Sequence, residues 1–139
     1  MTVVDWSKRV VSVPELFASR TRAYEQCIAA GPLIFISGQI GYDGDHLISN
    51  EFEDQVRQTF KNIGAALKAA GAGLGDLVSM TVYLTDPRLM DRFLSLRQEI
   101  LAGNFATSTM ICIDKLYEPE MMVEISAIAV HGSGSVTPE

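Results

Sequence analysis

Glu124 stands where an acid is least at home. It lies in the run Val123-Glu-Ile-Ser-Ala-Ile-Ala-Val130, whose members Val123, Ile125 and Ala127 read as core. A carboxylate in such a strand must be paired, held at a raised pKa, or turned toward a wet cleft. Each outcome suits a group that positions or deprotonates water; the structural alternative is a rim glutamate bonded to a neighbouring strand or subunit. A second candidate cluster lies in Thr107 to Asp114, where strand alternation puts Ser108, Met110, Cys112 and Asp114 on one face and Thr109, Ile111 and Ile113 on the other. Cys112 is a nucleophile in one reading, but no base accompanies it, and a small buried hydrophobe is the simpler account. Cys27 and Cys112 are far apart and form no CxxC spacing, which points to two reduced thiols rather than a disulfide framework or a zinc site. His46 and His131 both adjoin turn or tail residues, so neither serves as the base of a serine-hydrolase triad, and no histidine-rich metal centre is expected.

These residues need elements to hold them. Tyr24 to Ala29 and Leu33 to Ile40, joined by Ala30-Gly31-Pro32, read as a hairpin, with a further short strand at Val10 to Val13 that Pro14 limits. Asn50 and Glu53 have capping-box spacing, and Phe52, Val56, Phe60, Ile63, Leu67 and Ala70 then recur at helical steps, predicting an amphipathic helix that ends at Gly71. The run Gly71-Ala-Gly-Leu-Gly75 follows a helix and precedes a strand, the reverse of the order a phosphate loop needs, so it reads as a cap and turn. Val78, Met80, Val82 and Leu84 alternate with polar residues as a strand, and Asp86-Pro87 opens a second helix with Leu89, Met90, Phe93, Leu96 and Ile100 on its buried stripe. Two strands close the chain, Thr107 to Asp114 and Met121 to Val130, separated by a loop around Tyr117-Glu-Pro119.

This order predicts an α+β single domain over residues 1–130, a mixed sheet with two helices packed on one face, followed by a polar tail at 131–139 read as disordered. The other sheet face needs a cover, and self-association supplies one. With 139 residues, 47% hydrophobic and 20% charged, the chain is sized for one ordinary core. A net charge of −6 without a Lys/Arg cluster argues against nucleic acid as a partner. No stretch approaches the roughly 18 apolar residues of a membrane span, and Met1 to Ser12 lacks a secretory core, so no membrane association and a cytoplasmic location are expected.

Three motifs carry a family resemblance. Ile34-Phe-Ile-Ser-Gly-Gln-Ile40, the joint Ala69-Ala-Gly71 with Gly75-Asp-Leu-Val78, and the closing strand Val123 to Val130 together resemble the reactive-intermediate deaminase (Rid, or YjgF-type) family over Tyr24 to Val130. The resemblance implies a chorismate-mutase-like subunit, a homotrimer with ligand clefts at its interfaces, and cofactor-free hydrolysis of enamines and imines such as 2-aminoacrylate. Carried over by position, Tyr24 is the cleft tyrosine, Ser37 and Gly38 hold a ligand carboxylate through a backbone N–H, and Glu124 positions the attacking water.

The family's deaminases carry an arginine after a Phe-Pro-Ala approach, whereas Phe105-Ala-Thr-Ser108 here ends in serine, with Met110 where a cysteine is common. A hydroxyl cannot replace a bidentate, permanently charged fork on a carboxylate. The expectation is a reshaped pocket, lined by Ser108, Met110 and Cys112, for a small molecule differing from 2-aminoacrylate-type imino acids, unless Arg22 or Arg97 supplies the cation. A metabolite-binding trimer without turnover is the alternative. Ribonuclease or translational inhibition, also attached to this family's name, is opposed by the acidic balance.

Overall fold

The computed structural model of the chain describes residues 3–134. Its elements run β1 (Lys8–Val10), β2 (Cys27–Ala30), β3 (Leu33–Gln39), β4 (Tyr42–Asp43), β5 (His46–Leu47), α1 (Phe52–Ala69), β6 (Leu77–Leu84), α2 (Met90–Leu101), β7 (Thr107–Cys112) and β8 (Val123–Val130). Six strands form one sheet in the order β1-β2-β3-β8-β6-β7, and β4 pairs with β5 in a small ribbon. Neighbours in the large sheet are antiparallel except β6 and β7, which are parallel and joined through α2. A parallel pair needs such a crossover, because no tight turn can bring the chain back to the same end.

One face of the sheet is the core. Ile34, Ile36, Met80, Val82, Leu84, Val123 and Ile125 are buried there against Val56, Phe60, Ile63 and Leu67 of α1 and Phe93 and Leu96 of α2. The Phe60 and Phe93 rings stack between the helices with centroids 6.4 Å apart. Residues one step out of phase face the other way. Phe35 and Ile111 are each about two-fifths exposed, and Ser79, Thr81 and Ser126 line a shallow groove with Phe35. The α+β layer with both helices on one face is therefore present.

Local boundaries differ where polar groups compete with regular pairing. The first hairpin strand starts at Cys27 rather than Tyr24, because Arg20–Arg22 form a 3₁₀ turn that ends on Ala23 in the left-handed region at φ 63°. The Asn50–Glu53 capping box does not form: α1 starts after Glu51, and Ser49 instead accepts the Glu51 N–H at 2.9 Å and donates to Asp54 at 2.8 Å. Asp86 caps a 3₁₀ turn over Pro87–Leu89 before α2, accepting the Arg88 N–H at 2.9 Å. Gly71 sits at φ 81° just past α1, as a helix stop requires. Of the tail read as disordered, 135–139 lie outside the described residues, while His131 N–H donates to Pro32 O at 2.8 Å and Gly134 N–H to Asp76 Oδ1 at 2.7 Å.

Candidate functional site

The sheet is irregular at one place that matters for chemistry. Ile36 pairs with Ala127 and Gln39 with Ile125, so Ser37 and Gly38 together stand opposite Ser126. This is a β-bulge, a device that bends a strand and re-aims its groups, often beside active sites. The Glu124 side chain lies directly over Gly38: a β-carbon built there would fall 2.9 Å from the carboxyl carbon and would collide with Oε1. Glycine leaves room for the carboxylate in this position, and any larger residue would push it aside. Glu124 is half-buried, and among the described residues its side chain has neither a hydrogen bond nor an ion pair. Burial pushes its pKa above the usual glutamate value.

Glu124 and Gly38 share a cleft of about 230 Å³ with Tyr24, Arg22, Tyr42 and Tyr117. Its near wall is the irregular segment ahead of β2. Ser19 Oγ donates to Tyr24 O at 2.7 Å and the Ala23 N–H to Arg20 O at 3.1 Å, which fixes the turn that presents Arg22 and Tyr24. Its far wall is the loop between β7 and β8. There Tyr42 donates its hydroxyl to Glu118, and that hydrogen bond, with burial and the nearby carboxylate charge, pushes the phenol up to about 12.

Buried amides tie these walls to α1. Gln55 donates to Ser49 O at 3.0 Å and Glu120 O at 2.9 Å and accepts the Met122 N–H at 2.9 Å, fixing the far loop where it enters β8. Asn62 donates to Ile40 O at 3.1 Å and Tyr42 O at 2.8 Å, and Gln39 donates to Gln26 Oε1 at 2.8 Å. Sequence reading passed over this row. Its signal is nonetheless present, since Gln55, Gln58, Thr59 and Asn62 recur at steps of three, one and three beside the apolar stripe and all are buried.

Of the residues singled out from sequence, Tyr24, Gly38 and Glu124 meet in this cleft. Ser37 does not line it: its hydroxyl donates to Glu25 O at 2.6 Å, and it lies along the neighbouring sheet groove. Ser108, Met110 and Cys112 do share a face, but it is the helix side. The parallel register sets them beside Met80, Val82 and Leu84, which are core residues, while Thr107, Thr109 and Ile111 lie beside Ser79, Thr81 and Tyr83 on the open face. Accordingly Ser108 accepts a hydrogen bond from Arg97 Nη1 at 2.7 Å, and Met110 packs against the core. Cys112 is exposed at the sheet edge, whereas Cys27 is buried and its thiol is raised to about 11 by that burial. Among the described residues no group of three or more His, Cys, Asp or Glu is placed to hold a metal ion.

A mixed six-stranded sheet backed by two helices, with a half-buried acid over a glycine bulge, defines an α+β protein of the Rid type. The chain belongs to the Rid/YjgF family: residues 17–131 match the family model described as endoribonuclease L-PSP. It is 37% identical over 111 residues to a RutC family protein of Pyrococcus horikoshii, covering 76% of this chain and 85% of that one. It is 31% identical over 111 residues to the human 2-iminobutanoate/2-iminopropanoate deaminase, covering 78% and 80%. Among solved structures, a Rid-family protein of unknown function from Yersinia pestis superposes with a TM-score of 0.82 at 28% identity, over 89% of this chain and 99% of that one. No helix among the described residues is long and apolar enough to cross a membrane.

Proposed function

We propose that the chain hydrolyses a small enamine or imine without a cofactor, in clefts completed between the subunits of a homotrimer. The observation that carries this reading is Glu124, an unpaired, half-buried carboxylate lying over the Gly38 bulge. Burial raises its proton affinity toward the range in which a carboxyl group both takes and returns a proton near neutral pH. In the reaction a water oxygen bonds to the imine carbon and the carbon–nitrogen bond breaks. The protons of water end on nitrogen, so a keto compound and ammonia leave with no change of oxidation state. Glu124 orients the water and relays its proton, while Tyr24 and the Gly38 N–H hold the substrate.

The relation to a human protein named for 2-iminobutanoate and 2-iminopropanoate supports this chemistry. An RNA substrate fits less well with a net charge of −6. The test is ammonia release from 2-imino acids generated in situ by an amino-acid oxidase, comparing the unaltered chain with Glu124→Gln. Release that depends on Glu124 is expected. Ligand-dependent thermal stabilisation with no product, for every precursor tried, would replace this reading with a metabolite-binding trimer.

A further inference from the structure

The cation that Ser108 cannot provide is present in the Glu124 cleft on another element. Most arginines of this chain are committed to neighbours. Arg20 pairs with Glu25 at 2.7 Å, Arg57 with Glu53 and Glu99, Arg88 with Asp86, and Arg97 with the Ser108 hydroxyl. Arg22 is placed differently. It lines the same cleft as Glu124, and among the described residues its side chain makes no hydrogen bond and no ion pair, its one hydrogen bond being from the backbone N–H to Ser19 O at 2.8 Å. Its guanidinium carbon lies over two aromatic rings, 4.9 Å from the centroid of Phe17 and 5.0 Å from that of Tyr117.

That geometry decides what the group can do. A ring near the guanidinium carbon is attracted to its charge without taking its N–H donors in conventional hydrogen bonds. The two rings therefore hold the charge in the cleft and leave the bidentate fork without a protein partner. The turn that delivers it is fixed too, by the left-handed Ala23 and the Ser19 hydrogen bond to Tyr24 O. An unspent fork in a cleft is suited to a planar oxyanion. Arg22 and Glu124 make no ion pair with each other, so a ligand can use both without first separating them.

We propose that Arg22 is the substrate-carboxylate anchor of this cleft, so that the substrate is a 2-imino acid or its enamine. Its carboxylate lies on Arg22, its reacting carbon at Glu124, and its side chain among Tyr24, Ile40 and Tyr42. This rests on the hydrolytic reading above for the reaction, though not for the binding. It also removes the reason for expecting a substrate unlike the imino acids, which was the neutral residue at Ser108.

The experiment measures binding of 2-oxobutanoate, the keto acid of a four-carbon imino acid, and of its methyl ester, by isothermal titration to the unaltered chain, Arg22→Gln and Arg22→Lys. Loss of a charge-assisted bidentate contact is expected to weaken the acid by about 10- to 100-fold in Arg22→Gln and to leave the ester unchanged. Arg22→Lys keeps the charge and the stem but not the fork, and should fall between. With an imino-acid substrate, KM rises and kcat changes little, because the contact is made equally in the ground and transition states. Equal binding of the acid by all three proteins, equal weakening of acid and ester, or no binding of the acid to the unaltered chain would each overturn the proposal. Arg22-dependent binding of the acid without ammonia release from any imino acid would leave the anchor standing and remove the hydrolytic reading alone.

Discussion

The Glu124 carboxylate lies against Gly38, and each residue makes a separate prediction. For an acid, a raised native pKa means that the folded chain holds more protons than the unfolded chain between the ordinary carboxyl value and the raised one. Stability then falls as pH rises through that window, and the loss persists above it. Glu124→Gln is neutral at every pH, so its melting temperature should exceed that of the unaltered chain at pH 8 and match it near pH 4, while ammonia release falls by roughly 10²- to 10⁴-fold. Thermal melts at the two pH values with turnover at pH 8 check both halves. Gly38→Ala forces a methyl group against the Glu124 carboxylate, the end of a flexible, half-buried side chain that must swing aside. Urea unfolding should show a stability change within about 1 kcal/mol, while turnover falls because the acid is displaced. That Tyr24, Gly38 and Glu124 share one cleft was legible through the family resemblance, which names all three by position. Arg22 was less so, since an unpaired charge in an irregular turn has no periodic signature. For Ser108, Met110 and Cys112 the sequence showed that they share a face, as they do, but not that within one chain this face is the helix side, because only the register against β6 says which face is covered.

At the scale of elements, α1 has two jobs on adjacent faces. Its apolar stripe from Phe52 to Leu67 is legible as a helix lying on a sheet, and it does lie there. Its buried amides are harder to read, because a glutamine in sequence looks the same whether it meets water or a carbonyl. Gln55 is fully buried and bonds to three backbone groups on two loops. Gln55→Ala would leave the Glu120 and Ser49 carbonyls and the Met122 N–H without that partner. Unsatisfied buried groups cost about 1–3 kcal/mol each when water cannot reach them, so a loss of about 2–4 kcal/mol by urea unfolding is expected. The same change releases the loop that carries Tyr117 and Glu118, so KM for an anionic substrate should also rise. A surface control such as Lys61→Ala should move neither quantity.

For the whole molecule, the strands of the large sheet and the helix placement could be read from the sequence, but the β4–β5 ribbon and the insertion of β8 between β3 and β6 could not. That pairing joins distant parts of the chain, and no local pattern records it. Its consequence is the open sheet face, where Phe35 lies opposite Ile28 and Ile128 in register and Ile111 is exposed at the far edge. An apolar surface of this kind on a sheet calls for a partner. The cleft points the same way, since no β7 residue lines it within one chain, although the family resemblance puts a ligand-binding group on that strand. A second copy, seated on the open face, is the natural source of the missing wall. If that assembly is the homotrimer proposed above, sedimentation equilibrium should give three times the chain mass. Phe35→Arg, which puts a charge in the buried contact, should shift the mass toward one chain. If the cleft is completed between copies, turnover and 2-oxobutanoate binding should fall in proportion to the trimer lost and recover as protein concentration restores it. A single-chain mass for the unaltered protein, with turnover independent of concentration, would show that one chain suffices and that the open face has some other use.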